Sequence, residues 1–293
     1  MAIKSSKSEK AFDMAVLLVL SSAIIVTLYP FIHILAASMS DSKLLMQHRG
    51  LLFWPRGFNL FAYKKVFENG DLLSGYGNTL LVLFVGTAVS LLVTTLAAYP
   101  LSRPNLKYRN AVMFLITFTM LFQGGLIPDY LLINNLGLYN SRFALFLPVI
   151  VNTMNLIIMR TSFQGIPSAL IESASIDGAN DFTILFKIII PLSMPVVAVM
   201  ILYYGVYYWN SWFHAMIYLR KRQLFPLQLI LREILIINST DSMTVDISLD
   251  DQQAVGESIK YATIVVATAP ILLVYPFLQK YFVKGVMVGS IKG

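Results

Sequence analysis

The sequence predicts an all-α integral membrane protein with six transmembrane helices, and three observations carry that expectation. Of 293 residues, 57% are hydrophobic and only 13% are charged, against about 25% charged in an ordinary soluble domain. Mean hydropathy is +0.71. Six stretches meet or approach the roughly 20 apolar residues that a bilayer core demands. They run from Met14 to Met39, Thr79 to Tyr99, Ala111 to Leu132, Phe143 to Met159, Leu192 to Phe213 and Tyr261 to Val283. Each is continuously apolar, whereas barrel strands alternate over about ten residues, so helices are favoured.

The first run follows Lys4, Lys7 and Lys10 and precedes Ala36-Ala37-Ser38, as a secretory signal would. It exceeds the roughly 7 to 15 apolar residues of such a signal, so it is expected to remain as a helix, kinked at Pro30. Lipid-buried helices tolerate proline when neighbours satisfy the freed carbonyl. The fourth run is the shortest. Between runs two and three, the linker from Pro100 to Asn110 carries Arg103, Lys107 and Arg109, whereas Ile133 to Arg142 carries only Arg142. Short cytoplasmic loops hold the excess of Lys and Arg, so both termini are expected in the cytoplasm. Lys280, Lys284 and Lys292 agree, while Arg220-Lys221-Arg222 oppose, together on an outer connection with Asp241, Asp246, Asp250, Asp251 and Glu257. The apolar middle of that connection, Leu224 to Ile237, predicts a helix lying at the membrane surface or against a partner. One membrane domain, 14–284, is expected between a short N-terminal segment, 1–13, and a tail, 285–293.

Several function classes drop out. The net charge of +7 sits near the ends of apolar runs, where Lys and Arg meet lipid headgroups, and no basic stripe for nucleic acid is present. Cysteine is absent, which removes disulfides, thiolate metal sites and thiol nucleophiles. His33, His48 and His214 lack metal-ligand spacing, and packing is the expected role of each. No Gly-x-x-x-x-Gly-Lys-Ser/Thr phosphate loop occurs, so this chain is expected to bind no nucleotide or other cofactor and to hydrolyse nothing. The main alternative is an ion-coupled secondary transporter. Such carriers place carboxylates at mid-membrane, and here only Asp129 comes near, at the outer end of the third run. An intramembrane enzyme would need paired Asp, clustered His or Cys, and a purely structural subunit is the remaining alternative.

The most informative stretch is Ile166 to Pro191, IPSALIESASIDGANDFTILFKIIIP. Pro167 suits the first turn of a helix, where its missing N–H costs nothing. Ser168 to Asp177 can form a short helix that Gly178 ends in the left-handed conformation. Asn180 or Asp181 can cap a second helix through Phe182 and Lys187, which Pro191 is expected to stop. Leu170, Ile171 and Ala174 would give the first helix an apolar face, and small residues would keep it thin enough to enter a partner's groove.

This order and spacing resemble the cytoplasmic coupling loop of ABC-importer membrane subunits: Glu-Ala-Ala, three residues, Gly, nine residues, Ile-x-Leu-Pro. Every spacing fits, with Ser173 in place of Ala and Ile190 in place of Leu. The resemblance extends to the carbohydrate-uptake class of these permeases, of the maltose-importer MalG type. Asn155 to Arg160 with Phe163 and Pro167, Trp209-Asn210, and the terminus from Lys284-Gly285 to Gly293 carry it further. Gly124-Gly125-Leu126-Ile127-Pro128 with Asn135 to Asn140 is similar to the LplC-like subgroup, whose members import complex oligosaccharides, including alginate and pectin fragments.

The resemblance implies the MetI/MalG-like fold in a bacterial cytoplasmic membrane, with a coupling helix pair (166–191) between helices 4 and 5. It implies that Glu172, Ser173, Ala174, Asp177, Gly178, Ala179, Ile188 and Pro191 couple to an ATPase. The implied partners are a second, homologous permease, two ATP-binding subunits carrying ATP and Mg, and an extracytoplasmic solute-binding protein. The tail is expected to reach toward the ATPases or to be disordered. Polar groups within spans are costly and often functional, which makes Gln123, Asn152, Asn155 and Asn210 candidates for the substrate path. Amide bonds between helices, worth about 0.6 to 2 kcal/mol, are the competing role. Tyr207, Tyr208, Trp209 and Trp212 either stack on sugar faces or form an interfacial belt.

Overall fold

The computed structural model describes residues 7–122, 124–236 and 249–290. The described residues are helical apart from turns, irregular loops and one isolated antiparallel bridge, Ser40 to Phe58. They divide into two compact units: Met1–Gly70 with Glu233–Ala269, and Asp71–Arg232 with Pro270–Gly293.

The first unit is built on α1 (Lys7–Ser38), which passes Pro30 without interruption. Thr27 Oγ1 donates to the carbonyls of Ala23 and Ile24 one turn earlier. The apolar window of α1 buries nothing within the chain, as expected of a surface made for lipid. Beyond it lie α2 (Ser42–Gln47), capped by Asp41, and α3 (Phe61–Glu68).

The second unit hangs on α4 (Gly70–Ser102), whose buried face is dominated by small and hydroxylated residues. Against it packs α11 (Met194–Trp209). Ser90 and Thr94, one turn apart, meet Tyr208 and Tyr204, also one turn apart, in hydroxyl pairs of 2.8 and 2.7 Å. Side chains at i and i+4 share a helix face, so two buried hydrogen bonds fix the register of the pair and leave neither hydroxyl at the cost of desolvation without a partner. A lower core joins Ala98, Tyr99 and Leu101 of α4 to Leu156, Met159 and Phe163 of α7 (Thr153–Gln164), with Ile184, Leu185 and Ile189. An upper core gathers Val82, Phe146, Tyr204, Tyr208 and Leu219.

Three expectations are corrected. The apolar run 111–132 is not one helix: α5 (Arg109–Phe118) and α6 (Leu126–Asn135) are separate. Gly124, Gly125 and Pro128 punctuate the run, and α6 packs instead through Ile133 with Ala144 and with Tyr218 of α12 (Phe213–Tyr218). The fourth and fifth runs belong to bent pairs, with 51° between 142–149 and α7, and 86° between 181–192 and α11. Among the described residues three helices are long and apolar enough to cross a bilayer, and by length and composition up to five spans are counted when each bent pair is taken as one. Finally, α13 (Leu227–Ile236) does form, but its apolar side is spent within the chain. Leu227, Leu229, Ile230, Leu231 and Ile234 are buried, and the Leu227 N–H donates to Thr79 Oγ1 at 2.8 Å. The last helix, α14 (Leu249–Ser290), runs through Pro270 and Pro276 and continues across 285–290.

Candidate functional site

The segment 166–191 folds as its residues dictate. Helix α8 (Ser168–Ile176) ends in a pair of bonds, Gly178 N–H to Ser175 O at 3.1 Å and Ala179 N–H to Ala174 O at 2.9 Å. These are the two bonds of a Schellman C-terminus, which places its C′ residue in the left-handed region. Gly178 occupies that place with φ +81°. Two residues later Asn180 caps α9 (Asp181–Ile184), its Oδ1 accepting from the Thr183 N–H at 2.8 Å. Replacing an Asn cap with Ala costs about 0.5 to 2 kcal/mol. Asn180→Ala is therefore expected to speed hydrogen exchange at the Thr183 and Ile184 amides while leaving α8 protected, and exchange mass spectrometry would read it.

Pro191 does not stop this helix, contrary to expectation. A π turn at Leu185–Ile189 precedes α10 (Ile190–Leu192), and the Ile190 N–H reaches back to Leu185 O. Proline removes one donor and crowds the carbonyl four residues earlier, and the wider π turn absorbs that misfit. The chain turns instead at Ser193, before Pro195 enters the first turn of α11.

The faces of α8 also differ from expectation. Ile171 and Ala174, with Ala179, pack on the chain's own lower core. What α8 and α9 present outward is Leu170, Ile176, Phe182 and the carboxylates Glu172 and Asp177. Glu172 makes no hydrogen bond or ion pair among the described residues. Ser173 turns its hydroxyl back onto Ala169 O at 2.9 Å, so it offers little to a partner. Ile188 is half-buried and Pro191 exposed.

Behind the corner lies a cleft of about 860 Å³ bounded by residues 96–106 and by α8 and α9, with Glu172, Asp181, Arg103 and Phe182 among its lining. Tyr99 Oη donates to Asp181 Oδ1 at 3.0 Å, and the Arg103 guanidinium lies 4.5 Å over the Tyr99 ring. Arg160 Nε donates to Leu101 O at 2.8 Å, tying α7 to the end of α4. Sequence reasoning missed this latch, although Tyr99 and Arg103 stand at helical i, i+4 spacing.

A second cavity, about 660 Å³, opens between residues 148–155 and α11. Of the proposed path residues, Asn152 and Asn155 line it. Asn152 Oδ1 caps α7 by accepting from Asn155 N–H at 3.1 Å, and its own N–H donates to Tyr204 Oη at 3.2 Å. Trp209 is buried against Tyr76, and Asn210 closes the end of α11 on Val206 O at 2.8 Å; neither lines the cavity. Gln123 lies outside the described residues. Among the aromatics, Tyr207 lines the cavity, Tyr208 is core, and Trp212 carries Arg232 at 5.0 Å over its ring. Tyr203, four residues before Tyr207, also lines it and was overlooked.

Nearby, His214 stacks on Tyr218 at 5.8 Å. Burial pushes its imidazole below the ordinary value, against a smaller opposing pull from Asp129. His33 packs beside Tyr29 and Tyr261, and His48 Nε2 meets Leu51 O at 3.2 Å.

Residues 84–288 match the family of binding-protein-dependent transport system inner membrane components. The chain belongs to this family. Among curated relatives of this permease, it is 43% identical to the polygalacturonan/rhamnogalacturonan transport system permease protein YtcP of Bacillus subtilis, covering 97% of this chain and 99% of that one. It is 41% identical to protein LplC of the same organism, over 99% and 97%. Among solved structures, it superposes with a TM-score of 0.88 and 32% identity on a chain of a bacterial ABC transporter involved in import of the acidic polysaccharide alginate, covering 96% of this permease and all of that chain. The matched region contains the whole 166–191 segment, and the fold is that of an ABC-importer permease.

Proposed function

We propose that this permease forms half of the translocation path of an ATP-driven importer for an acidic oligosaccharide. Support comes from the relatives: one is named for polygalacturonan, and a fold neighbour serves alginate import. The first relative is named for rhamnogalacturonan as well, and all of these cargoes carry uronic-acid carboxylates. The observation that carries the reading is the corner at Gly178, where Glu172, Leu170, Ile176 and Phe182 are exposed.

In this reading two ATP-binding subunits sit below the permease pair, one of them gripping that corner from the cytoplasm, where both termini lie, and a homologous second permease completes the path. A solute-binding protein delivers the sugar from outside, and ATP and Mg stay on the ATPases. Closure of the ATPase pair pushes α8, and the lower core passes the motion to α4, α7 and α11. Sugar passes the cavity lined by Asn152, Asn155, Tyr203 and Tyr207. Aromatic faces stack on sugar rings there, and Asn side chains offer hydrogen bonds to hydroxyls.

Uptake by the reconstituted assembly tests the proposal. Uronate oligosaccharides are expected to accumulate only with hydrolysable ATP, and Tyr207→Ala is expected to slow uptake with coupled ATP hydrolysis still present. Accumulation by this chain alone in vesicles would refute the reading.

A further inference from the structure

The loop between α2 and α3 carries a cluster of exposed apolar side chains. Leu51 is 66% exposed, Phe53 58%, Trp54 81% and Phe58 70%. Exposed apolar patches of this density mark a contact surface. The loop is nevertheless firmly held. The Asp41 N–H donates to Arg56 O and Gly57 O at 2.9 and 2.8 Å, and the Asn59 N–H to Met39 O at 2.9 Å. The Arg56 N–H donates to Ser40 Oγ at 2.9 Å. These bonds clamp the loop's base to the end of α1.

Its tip does not project away from α1 but returns along it. Leu52, 2% exposed, sits in a cluster with Ala36 and Ala37. The Leu52 N–H donates to Tyr29 Oη at 3.3 Å, and the Phe53 ring lies 5.3 Å from the Tyr29 ring. Ala36 and Tyr29 precede Met39 by three and ten residues, so at 1.5 Å per residue the tip reaches back roughly 5 to 15 Å along the axis. Along that stretch α1 buries Ala36, Ala37 and Ser38 but leaves Phe31 and Leu35 exposed, and the apolar window of the helix buries nothing within the chain. The exposed side chains of the tip are thereby carried into the zone that lipid must fill around α1. Arg49 and Arg56, both exposed, flank the tip, in the positions where basic groups meet headgroup phosphates, and a Trp at the apex suits the interface.

We infer that residues 49–58 form a membrane anchor that inserts Leu51, Phe53 and Trp54 into the leaflet at the C-terminal end of α1. Lipid is the occupant because the patch is continuous with the lipid-facing surface of α1 and is rimmed by cations. The inference does not rest on the proposed cargo or on an ATPase partner, and in the orientation given above the leaflet is the outer one. The anchor would hold the end of α1 at fixed depth while other parts of the transporter move.

The absence of cysteine makes the test clean. Single variants Leu51→Cys, Phe53→Cys and Trp54→Cys, in the full chain in lipid nanodiscs, would carry a nitroxide. Lys64→Cys on exposed α3 serves as the aqueous control. Buried Leu52 stays untouched, so the loop keeps its hold. At the three tip positions the ratio of oxygen to nickel-chelate accessibility is expected to be several-fold above that at position 64. A ratio equal to the control would overturn the anchor and leave the tip in water. Protection from both reagents would equally overturn it, since a protein partner would then cover the patch. The same ratios measured with and without the other transporter subunits should agree.

Discussion

Glu172→Lys is expected to leave the chain folded and inserted while uptake falls by more than an order of magnitude. The side chain is exposed and unbonded within its own chain, so reversing its charge disturbs no intramolecular contact. At an interface the same change replaces an attraction with a repulsion, and breaking an interfacial charge pair costs about 2 to 5 kcal/mol. Even the lower figure is roughly 30-fold in affinity. ATP hydrolysis by the partner should persist without transport, or the ATPase should be lost on purification. Gly178→Trp attacks the same corner by another route. Its Cβ would meet nothing within 4 Å, but the left-handed backbone at φ +81° costs a non-glycine residue roughly 1 to 2 kcal/mol, and the indole would block the approach of a partner. Paired measurements of ATPase rate and uptake decide the matter: normal uptake by both variants would remove Glu172 and Gly178 from coupling.

The second large effect concerns assembly of the second unit. Gly86→Leu is expected to deplete folded protein, because a Cβ there would lie 2.9 Å from two ring atoms of Tyr208 and 3.2 Å from the Phe146 Cβ. Tyr208 cannot swing aside without giving up its bond to Ser90. Overpacking of this kind typically costs 1 to 3 kcal/mol, and "about 3" is the fitting end where a hydrogen bond is also lost. Gly77→Ala on the same helix provides the contrast. Its Cβ would meet nothing within 4 Å, so the change is expected to gain up to about 1 kcal/mol from helix propensity alone. Thermal midpoints in detergent, compared across the two variants, separate close approach from mere glycine content. Equal midpoints would mean that α4 and α11 are not packed as described.

The division between what was legible and what was not follows from the range of each interaction. Local rules sufficed for the turn from α8 into α9. A glycine and an Asn at short spacing specify a left-handed stop and a cap, and both lie where the residues required, whereas Pro167, expected in the first turn, stands one residue earlier as the N-cap of α8. They failed at Pro191, because whether a proline ends a helix or is absorbed by a π turn depends on what packs around it. They also failed at Gln123's neighbourhood, where an apolar run of adequate length is divided by two glycines and a proline. Hydropathy counts transfer energy and is blind to such breaks. Asn152 and Asn155 were chosen for polarity and do line a cavity, whereas Asn210, chosen alike, and Trp209, chosen as an aromatic that could stack on sugar, do not. Polarity marks a cost that must be met, not the direction in which it is met.

By itself, then, the sequence determined that this chain lives in lipid, is helical, and carries a sharp corner bearing an acid, Glu172. Those follow from composition and from bonds between residues a few positions apart. Only the tertiary structure decided that Ile171 and Ala174 turn inward, that α13 covers α4, and that Tyr203 and Tyr207 share a cavity with two asparagines. The physical reason is that a helix offers several faces, and which one is buried is chosen by helices far away in the chain.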